Sequence, residues 1–389
     1  MTPSLSTVPT VPPMRYFPAI DVLRGFAATM VLIFHVVNHW PGFPNTGWRL
    51  FFHYGWAGVD LFFVISGFVI THSALASQAR EGAGFWRSFL QRRCARIVPL
   101  YMLTGLIFML LVQPALVQTL DSTLLLRVLG HVFFVQNLHP LTHGALNGPS
   151  WTTAVEMQFY LLMVLIAPRL LRWHWGQFLA ASVLLGVSYR CALVWWLPSG
   201  RADVWLEFIY STQLPGMWET FAMGITLALL VRAPLGRANR WLQPNLRHCV
   251  AWALVAVLVF AAALWVAGDR GVFSTPMLIF WRPLLGLGCA ALLCSAITLP
   301  HHSHWAWRPL RYWGDISYGI YLWHFLVITA LLGLAVPPTG RHLLWQVALW
   351  TLLLAIAGWH LVEQPPIARF KKSNSKPKPN GQPHINPAP

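Results

Sequence analysis

One feature constrains this chain above all others: apolar stretches of about 17 to 25 residues recur along almost its whole length. An α-helix rises 1.5 Å per residue, so roughly 20 apolar residues cover the ~30 Å of bilayer hydrocarbon. Over 389 residues, 56% are hydrophobic and only 10% charged, against about 25% charged in an ordinary soluble domain. A soluble fold of this length needs polar faces on most of its helices, and these are missing. The chain therefore reads as an all-α, polytopic integral membrane protein. Spans are expected at residues 17–39, 54–75, 97–117, 150–168, 177–197, 207–231, 250–267, 276–298, 316–336 and 343–361, about ten in total. The first has no small-residue cleavage pattern and is read as a retained span, not a signal peptide.

The formal charge of +16 comes from 27 Lys and Arg against 11 Asp and Glu. Most of these bases fall between spans, where positive charge fixes orientation, so topology explains them better than nucleic acid does. The groups at Arg80 to Arg96, Arg169 and Arg172, Arg232 to Arg247, Arg308 and Arg311, and Lys371 and Lys372 are all expected on the cytoplasmic side. That count puts both termini in the cytoplasm. It also requires the short apolar piece Leu124 to Leu138, which contains Arg127 and His131, to be a re-entrant or interfacial helix. An eleven-span arrangement is the competitor, and it breaks the charge rule at one loop.

Residues 1–14 and 369–389 read as disordered tails around a membrane domain at 15–368. The five cysteines have no paired ligand spacing, which argues against a zinc site or a disulfide framework, and no metal is expected. No internal repeat is evident, which weakens a transporter built from duplicated halves.

The informative residues are those that hydrocarbon should exclude. Arg24 and His35 stand eleven residues apart in the first span, which places them on one helical face with roughly 16 Å of rise between them. Asp21 is spaced to pair with Arg24. Arg24 alone could equally be a headgroup anchor, and His35 a helix-to-helix hydrogen bond. Asp60 needs a partner or water at its depth, and Ser66-Gly67 offers a small patch where another helix can approach. Arg92, Arg93 and Arg96 precede the third span, and the Arg92/Arg96 pair shares a face able to clamp phosphates, unless it only anchors the helix. Glu156 suits either a hydroxyl ligand or a structural hydrogen bond. Ser317, Tyr321 and His324 form a polar stripe that should face protein or a cavity. Glu363 closes the last span, where a structural role is favoured.

In order, these pieces resemble the acyltransferase-3 group of integral membrane O-acyltransferases. The resemblance rests on Asp21-Val22-Leu23-Arg24-Gly25 followed by His35, and on Gly58-Val59-Asp60-Leu61-Phe62-Phe63 with Ser66-Gly67-Phe68. Arg92 through Tyr101, Trp151 with Glu156, Phe159 and Tyr160, Gly314 through His324, and Glu363-Gln364-Pro365 complete it. It covers residues 15–368. It implies transfer of an acyl group, usually acetyl from acetyl-CoA, to a hydroxyl of a cell-envelope or exported glycan such as lipopolysaccharide, at the bacterial inner membrane. Arg24 and His35 match the pair regarded as critical in the group. The partners implied are a glycan or lipid-linked sugar acceptor, membrane lipid and envelope glycan-assembly proteins.

The residues fit that chemistry. His35 is the candidate base, and the arginines are candidates for holding CoA phosphates or offsetting developing charge. Asp60 and Glu156 are candidates for orienting imidazole or acceptor. The alternative from another class is a transporter or flippase for a lipid-linked anionic sugar, and a non-catalytic assembly subunit is a third reading.

Overall fold

The computed structural model describes residues 16–375 apart from 119–120, 198–203, 234–235, 237–238, 268–274 and 301–306. Its regular structure is helical throughout the described residues. Chain order runs α1 (Pro18–Asn38), a short α2 (Leu50–His53), α3 (Gly58–Glu81), α4 (Phe85–Ile107), α5 (Ser122–Val132), α6 (Trp151–Leu170), α7 (Trp175–Trp196) and α8 (Val204–Ser211). It continues through α9 (Leu214–Arg232), α10 (Leu246–Ala267), α11 (Thr275–Thr298), α12 (Trp307–Asp315), α13 (Ser317–Leu332), α14 (Gly340–Gly358) and α15 (Gln364–Ser375).

Among the described residues, eight helical stretches are long and apolar enough to cross a bilayer, and nine if α12 and α13, bent by 57°, count as one broken span. One of the eight, Gly55–Val112, has 58 residues. At 1.5 Å per residue that is about 87 Å, far beyond one crossing. It holds both α3 and α4, and the chain reverses between them. Gly82 makes the turn at φ +61°, a conformation other residues resist. Arg92 then donates to the Ser77 hydroxyl, 15 residues earlier, at 2.5 Å.

The hairpin changes the reading of the basic residues. Arg92, Arg93 and Arg96 lie inside α4 and not in a loop. The expected span at 207–231 is also interrupted: α8 ends at Ser211, and α9 begins at Leu214 with Pro215 in its first turn. Proline fits a helix start because its missing N–H has no intrahelical partner there. α5 has 11 residues, about 16 Å, too short to cross. Leu125, Leu126 and Leu129 are exposed on it. The backbone stays helical to Ser375, past the expected start of the tail at 369. Residues 1–14 and 376–389 fall outside those described.

Between apolar helices in lipid, close packing replaces the hydrophobic effect as the main attraction. α3 and α9 show this through reciprocal glycines. A Cβ on Gly67 would stand 2.1 Å from the Phe221 carbonyl oxygen, and one on Gly224 would stand 2.0 Å from that of Val64. The two backbones touch only because both side chains are absent. This is the close approach expected at Ser66-Gly67. α9 is the most enclosed span, with 78% of its apolar window buried, whereas α10 has only 11% and faces outward. The chain is thus a polytopic membrane bundle.

Candidate functional site

Two adjoining cavities lie within the bundle. The smaller, about 170 Å³, is lined by Asp21, Arg24, Ser66, Arg93, Arg96 and Glu156, among others. The larger, about 1150 Å³, is lined by His35, Asp60, His143, Trp151, Trp205 and Arg282, among others. Val59 and Tyr321 line both, so the compartments meet there. The eleven-residue spacing of Arg24 and His35 on α1 therefore puts one residue in each compartment.

In the smaller cavity, Glu156 accepts hydrogen bonds from Ser66 at 2.9 Å and Tyr160 at 2.6 Å. Arg24 approaches Asp21 no closer than 3.9 Å. Arg93 lies over the Phe89 and Tyr160 rings, and Arg96 over Trp359. Arg93 Nε and Arg96 Nη2 are buried without a hydrogen-bond partner among the described residues. Three guanidiniums, two of them with an unpaired buried nitrogen, give the pocket the chemistry to hold an anion with several oxygens. Arg92 does not line it, being held by Ser77. The facing pair on the pocket is Arg93 and Arg96, not the Arg92 and Arg96 pair expected from spacing. Glu363 is fully buried, with both oxygens free of hydrogen bonds among the described residues and within electrostatic reach of Arg96 and Arg24.

His35 belongs to a histidine pair. Carbonyl oxygens only accept, so His35 Nδ1, 2.9 Å from the Val31 oxygen, carries its proton there. By the same argument His324 Nδ1, 3.2 Å from the Ile320 oxygen, is protonated, leaving His324 Nε2 as a lone pair 3.2 Å from His35 Nδ1. The His35 N–H is thus shared between Val31 and His324. Its Nε2 has no hydrogen bond among the described residues and is the ring atom left to act on a ligand. Tyr321 donates to the Pro149 carbonyl and accepts from Thr152, while Ser317 is buried with its hydroxyl unpaired among the described residues and lines neither cavity.

Asp60 has the partner its burial demands: Arg282 of α11 at 3.1 Å. A second ion pair, Arg190 with Glu219 at 2.6 Å, has no exposed side-chain surface on either residue. Arg190 also donates to the Gly216 and Ile279 carbonyls, tying α7 to α9 and α11. Sequence reasoning passed over Arg282, Arg190 and Glu219. Arg282 and Arg190 are the only Asp, Glu, Lys or Arg residues in their helices, and Glu219, like Asp60, is a carboxylate inside an apolar run. Among the described residues, no cluster of three His, Cys, Asp or Glu side chains is placed to hold a metal.

The segment over the larger cavity is anchored by a polar knot. Tyr101 stacks on His131 at 4.0 Å, and Gln136 donates to the Tyr101 hydroxyl at 2.7 Å and to the Ser150 carbonyl at 3.1 Å. This fixes the connection from α5 to α6, which carries His143.

Among curated relatives, the chain is 28% identical over 376 residues to YrhL of Bacillus subtilis, a candidate peptidoglycan O-acetyltransferase, covering 90% of this chain and 55% of that protein. It is 26% identical over 379 residues to the peptidoglycan O-acetyltransferase OatA of Listeria monocytogenes, covering 90% and 56% respectively. The chain thus spans about half the length of these two relatives. It is 29% identical over 376 residues to nodulation protein 10 of Rhizobium leguminosarum bv. viciae, covering 89% of this chain and 92% of the relative. No solved structure matches it. Residues 17–361 match the acyltransferase-3 model, described as an acyltransferase domain, and the chain belongs to that family.

Proposed function

We propose that this chain transfers an acyl group, acetyl from acetyl-CoA, to a hydroxyl of a cell-envelope glycan. The observation that carries the reading is the division of labour along α1. Arg24, with Arg93 and Arg96, offers a polyanion site on one side of the Val59–Tyr321 junction, and His35 offers a free imidazole nitrogen on the other. A CoA thioester pairs a phosphate-rich end with a neutral reactive end at the tip of a slender arm. The smaller cavity has room for a phosphate-bearing segment of the donor. The larger matches the size of sites that enclose a small-molecule ligand.

In this mechanism His35 Nε2 takes the proton of the acceptor hydroxyl as its oxygen attacks the thioester carbonyl carbon. The tetrahedral oxyanion collapses by breaking the C–S bond. The departing thiolate receives the proton from His35, so ester and free CoA thiol are the products and the imidazole returns to its starting state. His324 orients the His35 ring through the shared Nδ1 proton. Glu156 orders the arginine pocket, and the Asp60–Arg282 pair shapes the cavity wall.

For topology, the reading has ten crossings, with α3 and α4 counted separately. Both termini and the arginine pocket are cytoplasmic at the inner membrane, and α5 lies at the opposite interface. Envelope glycan-assembly proteins are the partners it implies. The test is mass spectrometry of envelope glycans from cells with and without the chain. Loss of acetyl esters is the expected result. Unchanged esters with altered glycan export would favour a lipid-linked sugar flippase.

A further inference from the structure

The histidine-lined cavity has a wall that the transfer step does not use. His143, between α5 and α6, is enclosed by Trp151, Trp205 and Phe208 at ring-centroid distances of 5.8, 5.3 and 5.4 Å. Trp205 and Phe208, both on α8, stack on each other at 5.6 Å. All four residues line the same cavity as His35. His143 is 5% exposed, and neither of its ring nitrogens has a hydrogen-bond partner among the described residues. An imidazole buried this way costs free energy that an apolar side chain in its place would not. That cost is recovered if a ligand satisfies the ring.

Burial pushes the His143 pKa down to about 4, so the ring is neutral near pH 7. It then presents one N–H donor and one lone pair, the pattern that matches a hydroxyl. The flat aromatic faces beside it suit the C–H face of a pyranose, and none of the four side chains is charged at that pH, which favours an uncharged ring. We propose that His143, Trp151 and Trp205 form a subsite for a neutral pyranose of the acceptor glycan, apart from the hydroxyl that reacts at His35. The subsite rests on the glycan-acyltransfer reading. In it the imidazole bonds a ring hydroxyl, and Trp205, 52% exposed, supplies a face that the sugar covers.

The experiment uses the full chain in nanodiscs and a β-1,4-linked N-acetylglucosamine tetrasaccharide as probe, with binding read by saturation-transfer NMR. His143→Leu keeps most of the volume and removes both nitrogens. Trp205→Ala removes a half-exposed ring. Each is expected to weaken tetrasaccharide binding about tenfold, the worth of one good polar or stacked contact, with acetyl-CoA binding on the same discs unchanged. A wild type that does not bind the tetrasaccharide, or variants that bind it as wild type does, overturns the subsite. So does weaker acetyl-CoA binding by W205A, because the wall then belongs to the donor. Failure of the transfer reading shows separately, as a wild type that neither binds nor consumes acetyl-CoA.

Discussion

His324 Nε2 lies 3.2 Å from His35 Nδ1, joining a fully buried residue of α13 to the residue of α1 that lines the large cavity. Val31 already holds the His35 Nδ1 proton and the contact shares it, so His324 acts through His35 by orienting its ring. H324F removes the acceptor while keeping an apolar ring in the site. It is expected to lower kcat five- to tenfold, about one hydrogen bond, with the donor KM unchanged. H324Q, whose carbonyl oxygen accepts, should recover part of the loss. Steady-state kinetics on folded protein checks both, and equal kcat for H324F and wild type would show that the contact is idle.

Arg96 and Arg92 are one helical turn apart on α4, yet only Arg96 lines the arginine pocket. R96A is expected to raise the donor KM by tenfold or more, since a charge-assisted contact contributes about 1.5–3 kcal/mol. R92A, which loses the bond to Ser77 at the hairpin, should move the donor KM much less and lower stability instead. Acyl-CoA titration of the two variants separates these roles.

The Asp60–Arg282 pair makes a prediction about stability. Removing one member leaves a buried charge alone, which costs about 3–5 kcal/mol, whereas replacing both with apolar groups of similar volume is nearly neutral. R282L should therefore lower the unfolding temperature markedly, and D60L/R282L should recover most of it. Thermal unfolding of the single and double variants in one detergent measures the coupling.

How much of this was legible in the sequence depended on how local each fact is. Arg24 and His35 could be placed on one face because a single helix fixes that relation. The close approach at Gly67 was legible too, since a small residue inside an apolar helix has few other uses. Choosing Arg93 over Arg92 was not, because it depends on how the hairpin at Gly82 lays α4 against α3. His143 gave no signal: it sits in a connection, and its enclosing rings come partly from α8, some 60 residues further along. Arg190, Glu219 and Arg282 carried the same signal as Asp60, but which acid meets which base is set by packing between distant helices.

The short α5 gives a topological prediction. Because its 11 residues cannot span the hydrocarbon, Gln118→Cys and Leu141→Cys, on either side of it, should be labelled from the same face of the membrane. The background is a chain whose five native cysteines have been replaced. Labelling from opposite faces would require an eleventh crossing.

The central claim is that His35 Nε2 is the base in acyl transfer, and H35Q tests it most directly. Glutamine keeps a polar side chain of similar reach but cannot take up a proton near pH 7. The purified variant in nanodiscs should stay folded and bind acetyl-CoA as wild type does, while transfer to a glycan acceptor falls about 100-fold or more, the usual contribution of general-base catalysis. Donor binding is measured on the same preparation, so lost folding is not mistaken for lost chemistry. Near-normal transfer by folded H35Q protein would contradict the account.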